Sequence, residues 1–422
     1  MKTHLAFGKS GLSVELKDEW KVEIVEPRYA PGIPDPRAAL REALCKPIGN
    51  APLRERVWAG DRVGIVFNDI TRATPNEVII STILAELAHV PARQVTLYNA
   101  LGTHRSNSED ELRRMLGDAL VDGYRIVQND AFDRGTQMCI GKTSRGNEVW
   151  LNRDLMECDV KILTGFIEPH FFAGFSGGGK ALMPGMAGQT TVLGNHDAAN
   201  IGDPRATWGI TKGNPLWEEV HEAARMAGNL FLVNVTLNRE KQITAVFAGD
   251  LDEAHEAGCE YARKMTMVPV ERPFDIVLTS NSGYPLDLNL YQAVKGMSAA
   301  AQVVKEGGAI VIAAECWDGV PEHGLFGQML AEVGSVDELL GKIHQPGFCK
   351  QDQWQAQVLG QVLRKAEVYV YSTHLSAEQI RRAMLLPAES VESALDRLVK
   401  RYGPGARICV LPEGPVTIPY VK

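Results

Sequence analysis

Three histidines, a lysine behind a run of glycines and one arginine are the residues of this sequence whose types and surroundings best suit chemistry. The stretch GFSGGGK at 174–180 has the letters of a phosphate loop, but Ala181 stands where a Ser or Thr would ligate magnesium. What survives is the physics of the segment. Four glycines within 174–179 let a backbone approach a bulky anion closely, and Lys180 stands at their edge. His170 lies just upstream in EPHFFA (168–173), His104 in GTHR (102–105) and His196 in GNHD (194–197). Imidazole titrates nearest neutrality, so each is a candidate general acid or base. Arg72, within DITRATP (69–75) beside Asp69 and Thr71, offers a guanidinium fork to a carboxylate. None of these spacings builds a zinc site from local ligands. Taken singly, each residue has a plainer reading: a histidine that caps a helix, a surface arginine, a flexible glycine turn.

The elements that must position them alternate between short β-rich runs and amphipathic stretches, the pattern of sheets covered by helices. Strands are expected at 62–67, 94–99 and 159–164. In open α/β sheets ligands bind beyond the carboxyl ends of strands, where the segments 68–73, 100–107 and 165–180 would converge. Thr74, Pro75 and Glu77 read as cap, first helical residue and capping-box acid of a helix over 75–89, and Ser108 with Glu111 as a second capping box. A Pro-rich junction at 268–273 places a domain boundary, giving 1–270 and 271–422, with the tail after about 412 able to return to the first domain. In the second part strands are expected at 274–279, 308–313, 367–371 and 407–412, and helices over 288–304 and from Ser376. Tyr291 and Lys295, four apart, share a helical face with Gln292 beside them. The expected architecture is two α/β domains with Rossmann-like sheets and an active site in the cleft between them.

With 422 residues, 45% hydrophobic and 23% charged, the chain is long enough for two cores and has ordinary globular composition. A net charge of -8 and no basic cluster disfavour nucleic acid and anionic membranes as partners. No apolar window reaches the ~18 residues of a membrane span and no signal-peptide core opens the chain, so a soluble cytoplasmic protein is expected. Seven scattered cysteines without a Cys-x-x-Cys pair suggest neither a disulfide framework nor a zinc knuckle.

In their order and wording, the motifs DITRATP (69–75), GTHR (102–105), EPHFFAGFSGGGK (168–180), GNH (194–196) and YQAVK (291–295) resemble the lactate racemase family, the nickel-pincer-nucleotide-dependent racemases and epimerases of 2-hydroxy acids. The resemblance implies that Lys180 attaches a pyridinium-bisthiocarboxylate mononucleotide and that His196 is the protein ligand to its nickel. It implies nucleotide contacts from Asp69, Thr71, Arg72, Ser176, Gly177 and Gly178. His104 and His170 would be the acid–base pair, and Arg72, Tyr291, Gln292, Lys295 and Trp354 the substrate contacts. The implied reaction inverts C2 of lactate or a related or larger 2-hydroxy acid by reversible hydride transfer, with cofactor-building enzymes as transient partners. Ala73 departs from the family, where proline is common. The competing reading is a non-catalytic nucleotide- or hydroxy-acid-binding protein; an ATP-dependent enzyme is disfavoured by Ala181.

Overall fold

The computed structural model describes residues 1–321 and 324–422 and contains two six-stranded sheets. In the first, the order is Ile243–Gly249, Leu230–Leu237, Val160–Phe166, Val63–Asn68, Val95–Ala100 and Arg125–Gln128. All neighbours are parallel except the pair formed by Ile243–Gly249. The central strands read as unbroken apolar runs because both faces are covered by helices; all seven residues of Val160–Phe166 are buried. Chain order reverses between Val63–Asn68 and Val160–Phe166, which opens a crevice at their carboxyl ends. The segments carrying Arg72 and His170 leave from these two strands, and the one carrying His104 leaves from the next.

The second sheet is entirely parallel, in the order Leu386–Pro387, Ala366–Tyr371, Val304–Ala313, Phe274–Ser280, Arg407–Leu411 and Lys21–Ile24. The strand Lys21–Ile24 thus hydrogen-bonds to the last strand of the sheet, and the hairpin Lys2–Leu5 with Leu12–Glu15 packs its Leu5 and Val14 against Ile276 and Val311. Residues 1–25 therefore sit with the second sheet. At the other end of the chain, Ile418–Val421 pairs in parallel with Met267–Val270. One apolar core contains Phe171, Phe175 and Trp208 from the first sheet's connections together with Val277, Leu290 and Trp354 from the second unit. The two units consequently share a packed base beneath the cleft.

Helix boundaries follow local chemistry where the caps are self-contained. Ser108 and Glu111 form the expected capping box at the start of Glu109–Leu116, and Ser376 and Gln379 form one at Ala377–Arg382. Thr74 does not cap its helix. Its hydroxyl donates instead to Asn68 Oδ1, at 2.7 Å, and the helix runs over Asn76–Glu86, shorter than expected at both ends. The helix expected over 288–304 is Leu290–Ala301, because Asn289 supplies the cap and the chain turns at Gln302 into the strand Val304–Ala313. Ser108→Ala should lower unfolding free energy by about 1 kcal/mol, read as a reduced urea midpoint with unchanged slope. Thr74→Ala should leave the helix N-terminus intact, since no cap is lost.

Candidate active site

The turn after Val95–Ala100 presents His104. Its backbone N–H donates to Leu101 O at 2.9 Å, and Gly102 N–H to Gly185 O at 2.8 Å. The half-exposed imidazole hydrogen-bonds through Nδ1 to Asp69 Oδ2 at 2.8 Å, while Thr71 Oγ1 donates to Asp69 Oδ1 at 2.7 Å. Burial alone would raise the Asp69 carboxyl; the hydrogen bond and charge of His104, the Thr71 hydroxyl and Arg72 outweigh it and hold the group below its ordinary value. Asp69 thus stays ionised and fixes His104 with Nε2 turned away from it. Three residues on, Arg72 Nη1 pairs with Glu168 Oε1 at 3.1 Å.

His170 is held by a two-residue antiparallel ladder, Pro169–His170 against Gly174–Phe175. Gly174 has φ +74°, and a Cβ there would lie 2.1 Å from Ile210 O, so only glycine closes this hairpin. Within it Ala173 N–H donates to His170 Nδ1 at 3.2 Å, which leaves the neutral ring's proton on Nε2. The loop then passes through Ser176, whose hydroxyl donates to Phe166 O, and enters the short helical turn Gly178–Ala181 that carries Lys180.

The glycines of this loop are packed against protein. A Cβ on Gly177 would lie 2.5 Å from Asn234 Oδ1, one on Gly178 2.6 Å from His255 Nδ1, and Gly178 N–H already donates to Asn234 Oδ1. The space their missing side chains would take is filled from behind, and the loop carries Lys180 to the Phe172 ring, which also meets His170 and His196.

His196 follows the helix Gln189–Asn195, and both its backbone N–H and its Nδ1 hydrogen-bond to Val192 O, at 2.9 and 3.1 Å. Nε2 is left as a lone-pair donor. Phe172 joins the group: its ring is edge-on to His170 (4.5 Å) and His196 (5.1 Å) and lies 5.8 Å from Lys180 Nζ. From the second unit, Leu290–Ala301 brings Tyr291, Gln292 and Lys295, the last 5.9 Å from the Phe171 ring. Trp354, on Gln353–Lys365, meets His196 edge-on at 5.1 Å and donates Nε1–H to Tyr291 Oη at 3.0 Å. Gln292 Oε1 is buried without a hydrogen-bond partner among the described residues.

Arg72, Lys180 and Lys295 crowd a poorly solvated space. Burial first, then the charges of Arg72 and Lys295, push Lys180 down to about 7. Burial and Arg72 bring Lys295 to about 8, against the pull of Glu168. Burial and Lys180 hold His196 at about 3 despite the Val192 carbonyl, and burial followed by Lys180, Lys295, Arg72 and His196 keeps His170 well below its ordinary value. Both buried imidazoles are neutral at pH 7.

A cleft of about 540 Å³ between the units is lined by Thr71, Arg72, Glu168, His170, Phe171 and Lys295, among others. His104, Lys180, His196, Tyr291, Gln292 and Trp354 do not line that space. Glu168, to which the sequence reading gave no role of its own, is the counter-charge of Arg72; its signal was an acid in an otherwise apolar, glycine-rich segment.

An α/β fold of two units that gathers neutral imidazoles, lysines poised near neutrality and an arginine at one cleft and in the aromatic cluster adjoining it suits acid–base chemistry on an anion. Residues 7–209 match the lactate racemase N-terminal domain and 270–418 the lactate racemase C-terminal domain. The lactate racemase of Lactiplantibacillus plantarum is 34% identical over 378 residues, 89% of each chain, and that of Thermoanaerobacterium thermosaccharolyticum 32% identical over 416 residues, 97% of each. The structure of the latter's apoprotein superposes with a TM-score of 0.93 over 99% of this chain and 100% of that one. A Thermotoga maritima protein at 20% identity shares the fold, with a TM-score of 0.71 over 93% of this chain and 100% of that one. The chain belongs to the lactate racemase family and is an isomerase of that family. No helix among the described residues is long and apolar enough to cross a membrane.

With burial holding Lys180 at about 7, far more of its amine is unprotonated at neutral pH than of an ordinary lysine. An amine-reactive ester at that pH should therefore acylate Lys180 well ahead of Lys400, as counted by peptide mass spectrometry. Equal or slower labelling of Lys180 would show that it is protonated.

Proposed function

We propose that the protein racemises or epimerises a 2-hydroxy acid at C2, with Lys180 and His196 holding a nickel-bearing pyridinium mononucleotide and His104 and His170 moving the hydroxyl proton. The observation that carries this reading is the complementary hydrogen bonding of the two imidazoles. His104, tied at Nδ1 to Asp69, offers Nε2 as a base, while His170, accepting at Nδ1 from Ala173, offers an Nε2–H.

The residues present fit such a cofactor. His196 is neutral, keeps Nδ1 on Val192 O and has Nε2 free, as a metal-bound imidazole requires. Among the described residues no group of three or more His, Cys, Asp or Glu could hold a metal, so His196 would be its single protein donor, with the remaining donors on the cofactor. The Lys180 amine, with no hydrogen bond or ion pair among the described residues and a pKa near 7, is a competent nucleophile for attachment. When bound, the cofactor supplies a reversible acceptor for the C2 hydride.

The chain's own residues do the rest. Arg72 and Lys295 hold the substrate carboxylate, and Gln292, whose buried oxygen lacks a donor at a cost of ~1–3 kcal/mol, is a further polar contact of the bound ligands. His104 removes the proton from the substrate's hydroxyl, and the Asp69 carboxylate stabilises the imidazolium that results. The Nε2–H of His170 hydrogen-bonds to the substrate oxygen; the ring hands over a proton only from its imidazolium form, favoured once the anionic substrate offsets the surrounding cations, and then returns to neutral. For the reverse hand the two exchange roles, with His104 starting as the imidazolium and His170 as the neutral base. Phe171, Phe172 and Trp354 exclude water around these groups and so preserve the low pKa values.

Cofactor-loaded protein should interconvert the two hands of lactate or a larger 2-hydroxy acid, with a C2 deuterium retained in the inverted product. Washing of that label into water would overturn the hydride reading, and optical stability of every tested 2-hydroxy acid would overturn the activity. His104→Ala and His170→Ala should each lower kcat by roughly 10²–10⁴-fold without a change in the circular dichroism spectrum.

A further inference from the structure

Residues 210–269 lie between the two family-matched regions, yet they touch every segment that presents the proposed cofactor anchors. The helix Pro215–Met226 makes most of these contacts. Its cap, Asn214, donates to Phe172 O at 2.8 Å and Ile210 O at 3.0 Å, which fixes the His170 hairpin to the helix start. One turn further, the buried Glu219 accepts from Asn195 Nδ2 at 2.7 Å and from Thr143 Oγ1 at 2.8 Å, and Asn195 is the residue before His196. Val220 O and Ala224 Cβ both lie 3.1 Å from where a Gly179 side chain would begin, immediately before Lys180.

The next helix, Leu251–Thr266, adds His255. Its Nε2–H donates to Ser176 O at 2.9 Å, and its ring fills the space under Gly178. That ring is itself held by a stack: His221 lies parallel to it at 5.0 Å, Trp217 covers His221 at 3.9 Å, and His221 Nδ1 is bonded to Asp252 at 2.7 Å. Burial keeps His255 neutral, so the ring carries one proton, and the Ser176 carbonyl uses it.

We propose that His255 and Glu219 are positioning residues, which set the place of Lys180 and of His196 from behind and make the segment 210–269 the rear frame of the cofactor site. His255 acts through the Ser176 carbonyl and the Gly178 contact on the turn that bears Lys180. Glu219 acts through Asn195 on the helix end that bears His196. The two anchors are thereby referred to one pair of helices, so that their separation does not depend on the loops alone.

The inference rests on the reading of Lys180 and His196 as anchors, but its test uses the full chain without cofactor and reads geometry only. Acylation of Lys180 would be followed against pH, and carbethoxylation of His196 by diethyl pyrocarbonate at fixed pH, both resolved by peptide mass spectrometry. His255→Phe keeps the ring and the stack but deletes the donated bond; the Lys180 midpoint should rise by about one unit or more as water reaches the loosened turn. His255→Gln, which retains a donor, should restore it, and Cys259→Ala, which removes a thiol 3.4 Å from His255 without touching the loop, should leave it unchanged. Glu219→Ala should speed modification of the buried His196 roughly fivefold or more, with Glu219→Gln close to the parent. Lowered melting temperatures with both labelling readouts unmoved would mean that these residues only pack, and the proposal would be wrong. Should His255→Phe not fold, the Glu219 pair decides. A variant series that behaves as expected in a protein unable to take up the cofactor would reject the anchor reading and leave the frame standing.

Discussion

Three cations, Arg72, Lys180 and Lys295, converge where water is scarce, and among the described residues Glu168 is the one carboxylate paired with any of them. Like charges in a poorly polarisable space repel strongly, and each loses hydration. The site relieves this by letting the lysines shed protons near neutrality and by keeping His170 and His196 uncharged. An arrangement of this kind is stable only if the surrounding structure holds the groups against their own repulsion. It is also one that an anionic ligand stabilises, since each negative charge that enters offsets part of the crowding.

That demand explains the aromatic packing around the site. Phe171, Phe172 and Trp354 bridge the histidines and lysines, and they belong to the core that both units share. The crevice at the reversal of the first sheet supplies the loops with Arg72 and His170, while helix Leu290–Ala301 of the second unit supplies Lys295 across the gap. Neither unit alone contains the charge cluster. The aromatic rings do two things at once: they remove water, which moves the pKa values, and they fix the rings whose nitrogens must be aimed.

Much of the scaffold was legible in local sequence. Buried parallel strands such as Val160–Phe166 are apolar throughout, and the Ser108 box needs only residues three apart, so both could be read without the rest of the chain. Thr74 was misread because Asn68, six residues back, competes for its hydroxyl. The strand Lys21–Ile24 escaped notice because it is an edge strand, four residues long and mostly exposed, with no apolar run to mark it. The catalytic candidates were visible as motifs. What packs against the glycines among them was not: a side chain at 174, 177 or 178 would meet Ile210, Asn234 or His255, all distant in sequence. The pairing of Arg72 with Glu168 spans 96 positions and has no local signature.

The pairing of Lys21–Ile24 with Arg407–Leu411 has a bearing on how the molecule is made. Lys21–Ile24 leaves the ribosome well before Arg407–Leu411 and must wait for that strand before its partner exists. The first sheet, whose strands all lie between Val63 and Gly249, can close in the meantime. The second cannot, and its edge is finished by a segment made much earlier than its partner. Completion of the cleft is therefore a late event, and a truncated product would carry the histidines and Lys180 on a formed sheet with no Lys295 to face them.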